Sequence, residues 1–306
     1  MQKEKVIVIG GPTASGKTSL SIELAKKING EIVSADSMQI YTDMDIGTAK
    51  PTVEEREGIE HYLLDFVSPD DRFSVADYKR QAKNAIKEIL KKGKVPIVIG
   101  GTGLYIESLI YEIDFPEIET DLEYRRKLEQ IASEKGLNYL YEEALKVDPE
   151  AMEKISPNDQ KRILRVLELY HQTGKTKTQL DKESRKEPEY DYKFFAINMN
   201  REKLYDRINK RVDIMIDDGL VNEVQNLCKK YKEFPTAMQG LGYKEVVQYL
   251  NGDTTYDEMI EKIKMESRRY AKRQLTWFRK YKEITWLDGI EDPKKNVEII
   301  IEKYND

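Results

Sequence analysis

Cysteine and histidine are nearly missing from these 306 residues. The chain has one cysteine, Cys228, and two histidines, His61 and His171, so neither a disulfide framework nor a Cys/His zinc site can be built. A reducing, cytoplasmic setting is the expectation. Long apolar runs are lacking too. The opening "MQKEKVIVIGG" has too short an apolar stretch for a secretion signal, and no later segment reaches membrane-spanning length. Neither secretion nor membrane insertion is expected. Nor is there an excess of positive charge: the net charge is −5, so any nucleic-acid surface must be a local basic patch on an acidic whole. With 35% charged and 39% hydrophobic residues, the composition is that of a globular protein, and the length suits a core domain carrying a smaller one.

What the sequence does have begins at its start. The apolar run "KVIVI" (5–9) reads as a buried strand and leads into "GGPTASGKTSL" (10–20) and then an amphipathic helix from about Lys17 to Lys27. Gly11, Pro12, Thr13, Ala14, Ser15, Gly16, Lys17 and Thr18 fit the phosphate-loop spacing G-x-x-x-x-G-K-[ST] between a strand and a helix. The glycines let backbone N–H groups face an anion, Lys17 adds a point charge, and the Thr18 hydroxyl can bind magnesium (Mg2+). Such a loop recognises a phosphate chain without saying whose it is.

Further strands are expected at 31–36, 61–67, 94–105, 192–199 and 283–289, with a helix at about 75–92. The alternation implies an α/β fold: a P-loop NTPase-like parallel sheet core with helices on both faces. Between 115 and 189 strand signals vanish, and helical patterns run at 121–135, 138–146, 149–155 and 159–172. The expected organisation is a core of 1–114 and 190–306 with an inserted helical domain at 115–189.

Strand ends are where open α/β sheets place their chemistry. "VPIVIGGTGLY" ends in Gly100, Gly101 and Thr102, without the acid that a nucleotide-hydrolysing enzyme uses there to organise magnesium. Thr102 puts a hydroxyl in its place. Asp36 is the first carboxylate beyond the second predicted strand, opening "SADSMQIYTDMDIGTAKP" (34–51); a general base, a magnesium contact and a turn cap all remain open for it. In "SPNDQKRILRVLELY" (156–170), Ile163, Leu167 and Tyr170 fall on a core face, while Lys161, Arg162 and Arg165 suit a solvated face or an RNA. "SRRYAKRQLTWFRK" (267–280) interleaves Arg269, Lys272 and Arg273 with Tyr270, Trp277 and Phe278, which fits an RNA backbone with stacked bases or, equally, a charged face over a core of Leu275 and Phe278. Arg207 and Arg211 lie one turn apart on an amphipathic helix at 203–220, where a surface helix is the default reading and contact with a phosphate the alternative. His61 and His171 are expected to be structural, and Cys228 a small core residue.

In order and over nearly the whole chain, "GPTASGKT", "SADSMQIYTDMDIGTAKP", "GGTGLY", "SPNDQKRILRVLE", "GLGYKE" and "RRYAKRQLTWFRK" resemble the bacterial tRNA dimethylallyltransferases, also called tRNA isopentenyltransferases. The resemblance implies transfer of a dimethylallyl group from dimethylallyl diphosphate to the N6 amine of the adenosine 3′-adjacent to the anticodon, with release of diphosphate. It makes Gly11 to Thr18 the diphosphate cradle, with Lys17 neutralising developing charge, Thr18 on magnesium and Arg211 clamping from the opposite side. Asp36 matches the general base, and Thr102 a residue contacting diphosphate and tRNA. Asp36, Ser37, Met38, Gln39, Tyr124, Gln160, Lys161, Arg162, Ile163 and Leu164 are implied to line the tRNA, with Arg269 and Arg273 as further candidates. The helical insertion would grip the anticodon stem-loop, and the enzyme is expected to be a monomer. Three alternatives stand beside this: a P-loop small-molecule or nucleoside kinase using ATP, a prenyltransferase acting on free AMP, and an RNA-binding module switched by a nucleotide.

Overall fold

The computed structural model describes residues 3–115 and 121–306; residues 116–120 of the expected insertion lie outside the described residues. The chain divides into two compact units, one of Met1–Ile110 with Pro188–Asp306 and one of Tyr111–Glu187.

The first unit opens with β1 (Lys5–Gly10), α1 (Lys17–Ile28), β2 (Gly30–Ser34), β3 (His61–Tyr62), α2 (Val75–Lys91), β4 (Val95–Gly100) and α3 (Gly103–Ile110). The second unit has helices and, among its described residues, no strand: α4 (Leu122–Lys135), α5 (Leu137–Val147), α6 (Pro149–Met152), α7 (Gln160–Thr173) and α8 (Lys177–Ser184). The first unit then resumes with β5 (Asp191–Asn198), α9 (Arg201–Asp217), α10 (Leu220–Lys230), α11 (Tyr243–Leu250), α12 (Tyr256–Phe278), β6 (Thr285–Asp288) and α13 (Pro293–Asn305).

The six strands form one sheet in the order β3-β2-β4-β1-β5-β6, and every pairing is parallel. Strict alternation of branched residues explains why both faces are covered. Val6 and Val8 of β1, with Val33 and Val98, pack under α2 and α3. Ile7 and Ile9, with Ile32 and Ile97, pack on the other face under α1 and α13. A third apolar cluster joins Ile40, Tyr41 and Met44, from the segment after β2, to helices α9 to α12.

Several sequence expectations need correcting. The strand expected at 61–67 is only two residues long, because Leu63 and Asp65 take left-handed backbone angles (φ +58° and +60°) that no strand accommodates. The segment expected to run as strand to residue 105 turns helical at Gly103. Beyond the last helical pattern expected, at 159–172, the chain forms a further helix, α8, whose start is closed by a reciprocal capping box between Thr176 and Gln179. Tyr170, in the last turn of α7, is 45% exposed, while Ile163 and Leu167 are buried as expected. Cys228 is exposed on α10: Val224 and Leu227 form the inward stripe of that helix, and position 228 falls off it.

Candidate active site

Residues 10–16 leave β1 through a loop that only a specific backbone path allows, with positive φ at Gly11 (+149°), Ala14 (+60°) and Gly16 (+91°). Gly16 caps α1 with no side-chain hydrogen bond, and no acidic residue occupies the first turn. The first N–H groups of α1 and its positive dipole end therefore remain available to an anion. Within the loop, the Ser15 hydroxyl and the Lys17 ammonium both donate to the Pro12 carbonyl, at 2.8 and 2.6 Å.

A cavity of about 350 Å³ opens beside this loop. Thr13, Lys17, Thr18, Asp36, Ser37, Met38, Gln39, Arg211 and Arg273 all line it. Asp36 is the one acidic side chain among the described lining residues, facing Lys17, Arg211, Lys244 and Arg273. The crowding of cations leaves its mark on Lys17: burial, and then the nearby Arg211 guanidinium, push its ammonium down to about 7, against a smaller opposing pull from Asp36. Arg211 is likewise held below its ordinary value by burial, with Asp36 acting in the other direction. An anion entering here relieves both strains.

The carboxylate is held, not free. Its Oδ1 accepts the N–H groups of Met38 and Gln39 at 2.9 and 3.3 Å, so Asp36 caps the turn after β2 and still faces the cavity. The Thr102 hydroxyl, at the start of α3, accepts from the Ser37 N–H at 3.0 Å and donates to the Ser37 hydroxyl at 3.2 Å. Gly100 permits this meeting of strand ends, since a Cβ there would lie 2.1 Å from the Ala35 carbonyl oxygen. Tyr270 of α12 completes the wall; burial and the Asp36 charge push its hydroxyl up to about 12, opposed by a hydrogen bond with Thr102. It stays a neutral phenol.

The loop of residues 42–50 is fixed from outside. The Glu223 carboxylate accepts the N–H groups of Asp45, Ile46 and Gly47 at 2.9, 2.7 and 3.1 Å, and the Tyr243 hydroxyl at 2.6 Å. Gln39 donates inward to the Thr48 and Ala49 carbonyls. His61, also on the cavity wall, bonds through Nδ1 to the Ile59 carbonyl oxygen at 2.8 Å, and burial lowers its pKa. A structural role suffices for it.

Arg269 lies outside this cavity on the exposed side of α12, paired with Glu266 at 2.6 Å. Sequence reasoning missed Gln274, which is 5% exposed and sits on the buried stripe of α12 between Ala271 and Phe278. A polar residue at that spacing was the available signal.

In the second unit, Gln160, Lys161 and Arg162 are exposed at the start of α7, capped by Asp159. Ile163 and Leu164 are not: at 0% and 1% exposure they belong to the core of that unit. Leu164 also lines a surface cavity with Gln160, Lys161 and Asn158, so the start of α7 presents one continuous groove. Tyr124 stacks on His171 with ring centroids 3.8 Å apart.

Among the described residues, no three His, Cys, Asp or Glu side chains gather into a metal cage, and no helix is long and apolar enough to cross a membrane. A magnesium ion needs no such cage when phosphate oxygens and water supply most of its ligands. The Thr18 hydroxyl, exposed on the cavity wall at the head of α1, is a hard oxygen donor that fits that arrangement.

The IPP transferase family model matches residues 39–281. A curated tRNA dimethylallyltransferase of Acetivibrio thermocellus is 56% identical over 290 residues, covering 94% of this chain and 93% of its own. The crystal structure of the full-length tRNA isopentenylpyrophosphate transferase of Bacillus halodurans superposes with a TM-score of 0.74 at 41% identity, covering 99% of this chain and 97% of that one. A eukaryotic dimethylallyltransferase acting on tRNA gives 0.76 at 33% identity, over 94% of this chain and 74% of that one. The cation-lined phosphate loop, the single carboxylate facing it and these full-length likenesses agree: the chain belongs to the IPP transferase family, the tRNA dimethylallyltransferases.

Proposed function

We propose that this chain transfers a dimethylallyl group from dimethylallyl diphosphate to the N6 amine of the adenosine 3′-adjacent to the anticodon of tRNA, releasing diphosphate. The support that weighs most is one cavity holding an uncapped phosphate loop and several cations against a single carboxylate. A kinase would also need an acid at the β4 end to organise its metal, and that position holds Gly101 and Thr102.

In this reading the N–H groups of residues 14–18, with Lys17 and Arg211, hold the diphosphate. Charge builds on the leaving oxygen as the allylic C–O bond breaks, and fixed cations in a shielded site stabilise that state more than the ground state. Magnesium, bound at Thr18, would supply further neutralisation of the diphosphate. The N6 nitrogen forms its new bond to the allylic carbon, and the N6 proton passes to the Asp36 carboxylate. The Asx turn at Met38 and Gln39 fixes the direction of that carboxylate. The Thr102 hydroxyl, tied to Ser37, and Tyr270 form the wall against which the acceptor base is oriented. The target adenosine must leave its stack to enter. The exposed Gln160, Lys161 and Arg162, with Tyr124, are the proposed contacts of the second unit with the anticodon stem-loop.

The direct test is mass spectrometry of an unmodified anticodon stem-loop RNA incubated with the protein, magnesium and dimethylallyl diphosphate, with ATP alone as the control. A gain of one dimethylallyl group on adenosine is the expected result. No gain, with ATP consumed in the control, would transfer the site to a kinase.

A further inference from the structure

Gln274 is almost wholly buried beside the cavity, and both ends of its carboxamide are engaged. Oε1 accepts the Thr13 N–H of the phosphate loop at 2.9 Å, and Nε2 donates to the Gly101 carbonyl at the end of β4 at 3.0 Å. Tyr270, one turn earlier on α12, has Gln274 and Thr102 beside its hydroxyl, and Thr102, the neighbour of Gly101, holds Ser37, next to Asp36. The phosphate loop is therefore tied through Gln274 to Gly101, and the next residue, Thr102, is tied to the turn that carries the carboxylate.

Space has been made for this contact. A Cβ on Gly101 would stand 2.1 Å from Gln274 Nε2, so only glycine lets the amide approach the strand end. The side chain is 5% exposed, which leaves it no water to fall back on if either partner is lost. A hydrophobic residue would pack the α12 stripe equally well. The polar group is there for what it joins.

We infer that Gln274 is a positioning residue that locks the phosphate loop to the β4 end, setting the distance between the diphosphate cradle and the Asp36–Thr102 wall. This rests on the proposed transfer reaction. Its Oε1 occupies the Thr13 N–H, so that this amide serves as an anchor while the N–H groups farther along the loop face the ligand.

The test uses the full-length protein with Gln274→Met, which keeps the volume and removes both bonds, and Gln274→Glu, which keeps the acceptor but sets an oxygen against the Gly101 carbonyl. Gly101→Ala, which pushes the amide away, should act alike. Expected are a rise of about 10-fold or more in KM for dimethylallyl diphosphate and a fall of similar size in kcat, as for loss of a buried hydrogen bond at a reacting centre. The Kd for tRNA should stay at the wild-type value. Independently of turnover, binding of inorganic diphosphate by calorimetry should weaken, and deuterium uptake of the peptide spanning 10–20 should quicken.

If one variant fails to fold, the other two carry the measurement. Wild-type KM, kcat, diphosphate affinity and loop exchange in the folded variants overturn the inference while leaving the reaction standing. Loss of tRNA affinity in step with activity also overturns it, since that would make Gln274 a general prop of the fold. A wild-type protein that transfers no dimethylallyl group overturns the functional reading and this one with it.

Discussion

Replacing Lys17 by methionine should stabilise the ligand-free protein while destroying its activity. In the folded state burial and the Arg211 charge push the lysine from 10.5 down to about 7. Between those two pH values the unfolded chain binds a proton that the folded one has released, so stability rises with pH across that window. Below pH 7 both states are protonated, and the folded state carries the full cost of a crowded, desolvated cation. The fall from 10.5 to about 7, at about 1.4 kcal/mol for each pH unit, sets a ceiling of about 5 kcal/mol. Lys17→Met removes the cost but forfeits the bond to the Pro12 carbonyl, about 1 kcal/mol, and water entering the cavity screens part of the rest. A net gain of about 1–3 kcal/mol at about pH 6 follows, or a Tm higher by about 2–5 °C. The advantage should shrink toward pH 9 as wild-type Lys17 becomes neutral. Thermal unfolding by circular dichroism at the two pH values, with and without inorganic diphosphate, checks this. Diphosphate should raise the wild-type Tm and leave the variant nearly unmoved. A variant less stable than wild type at pH 6, or a Tm difference that does not change with pH, would refute the claim that the empty site is strained by its own cations.

Asp36→Asn keeps the oxygen that caps Met38 and Gln39 but cannot take a proton, so kcat should fall about 10²–10⁴-fold with tRNA affinity unchanged; wild-type turnover in single-turnover assays removes the carboxylate from its role as base. Arg269→Ala with Arg273→Ala should flatten the slope of log affinity for tRNA against log salt by about 0.7–0.9 for each phosphate the pair neutralises. An unaltered slope returns α12 to a structural role. Ile163→Ala, deep in the second unit, should cost about 2–5 kcal/mol of stability as a cavity mutation does. At a temperature where the variant is folded its tRNA Kd should match wild type if Ile163 acts through the core alone, and a selective loss of affinity would give it a part in the RNA contact as well.

What could be read in the sequence, and what could not, divides along a physical line. The sheet was legible because each strand announces itself locally: Val6 to Ile9 alternate their branched side chains between two helical layers, and the glycines after β1 and β4 mark the strand ends where the chemistry collects. The loop at 11–18 was legible for the same reason, since its spacing is written in consecutive residues between β1 and α1. Local pattern failed where a single backbone angle decides, as at Leu63 and Asp65, whose left-handed conformations end β3 and leave no trace in hydrophobicity. It succeeded at Ile163 and Leu167, whose helical spacing marks the buried stripe of α7, and failed at Tyr170, which the same spacing puts inside but the end of the helix leaves exposed.

The residues hardest to foresee are those that join distant segments. Glu223 gathers three N–H groups from a loop 176 to 178 positions away, and Gln274 bonds to Thr13 across 261 positions. Each is a polar side chain on an amphipathic helix, and helical spacing by itself would assign them to the surface or to a misplaced core. Their partners lie at strand ends brought together by a parallel sheet, where every crossover returns the chain to the same edge. The chemistry of this site therefore has two sources of order. The groups proposed to meet the ligand, Lys17, Thr18 and Asp36, are encoded next to the strands that carry them. The groups that set the distances between them, Gln274 and Glu223, acquire meaning only once the fold has closed, and substitutions there should slow the transfer without changing which substrates take part in it.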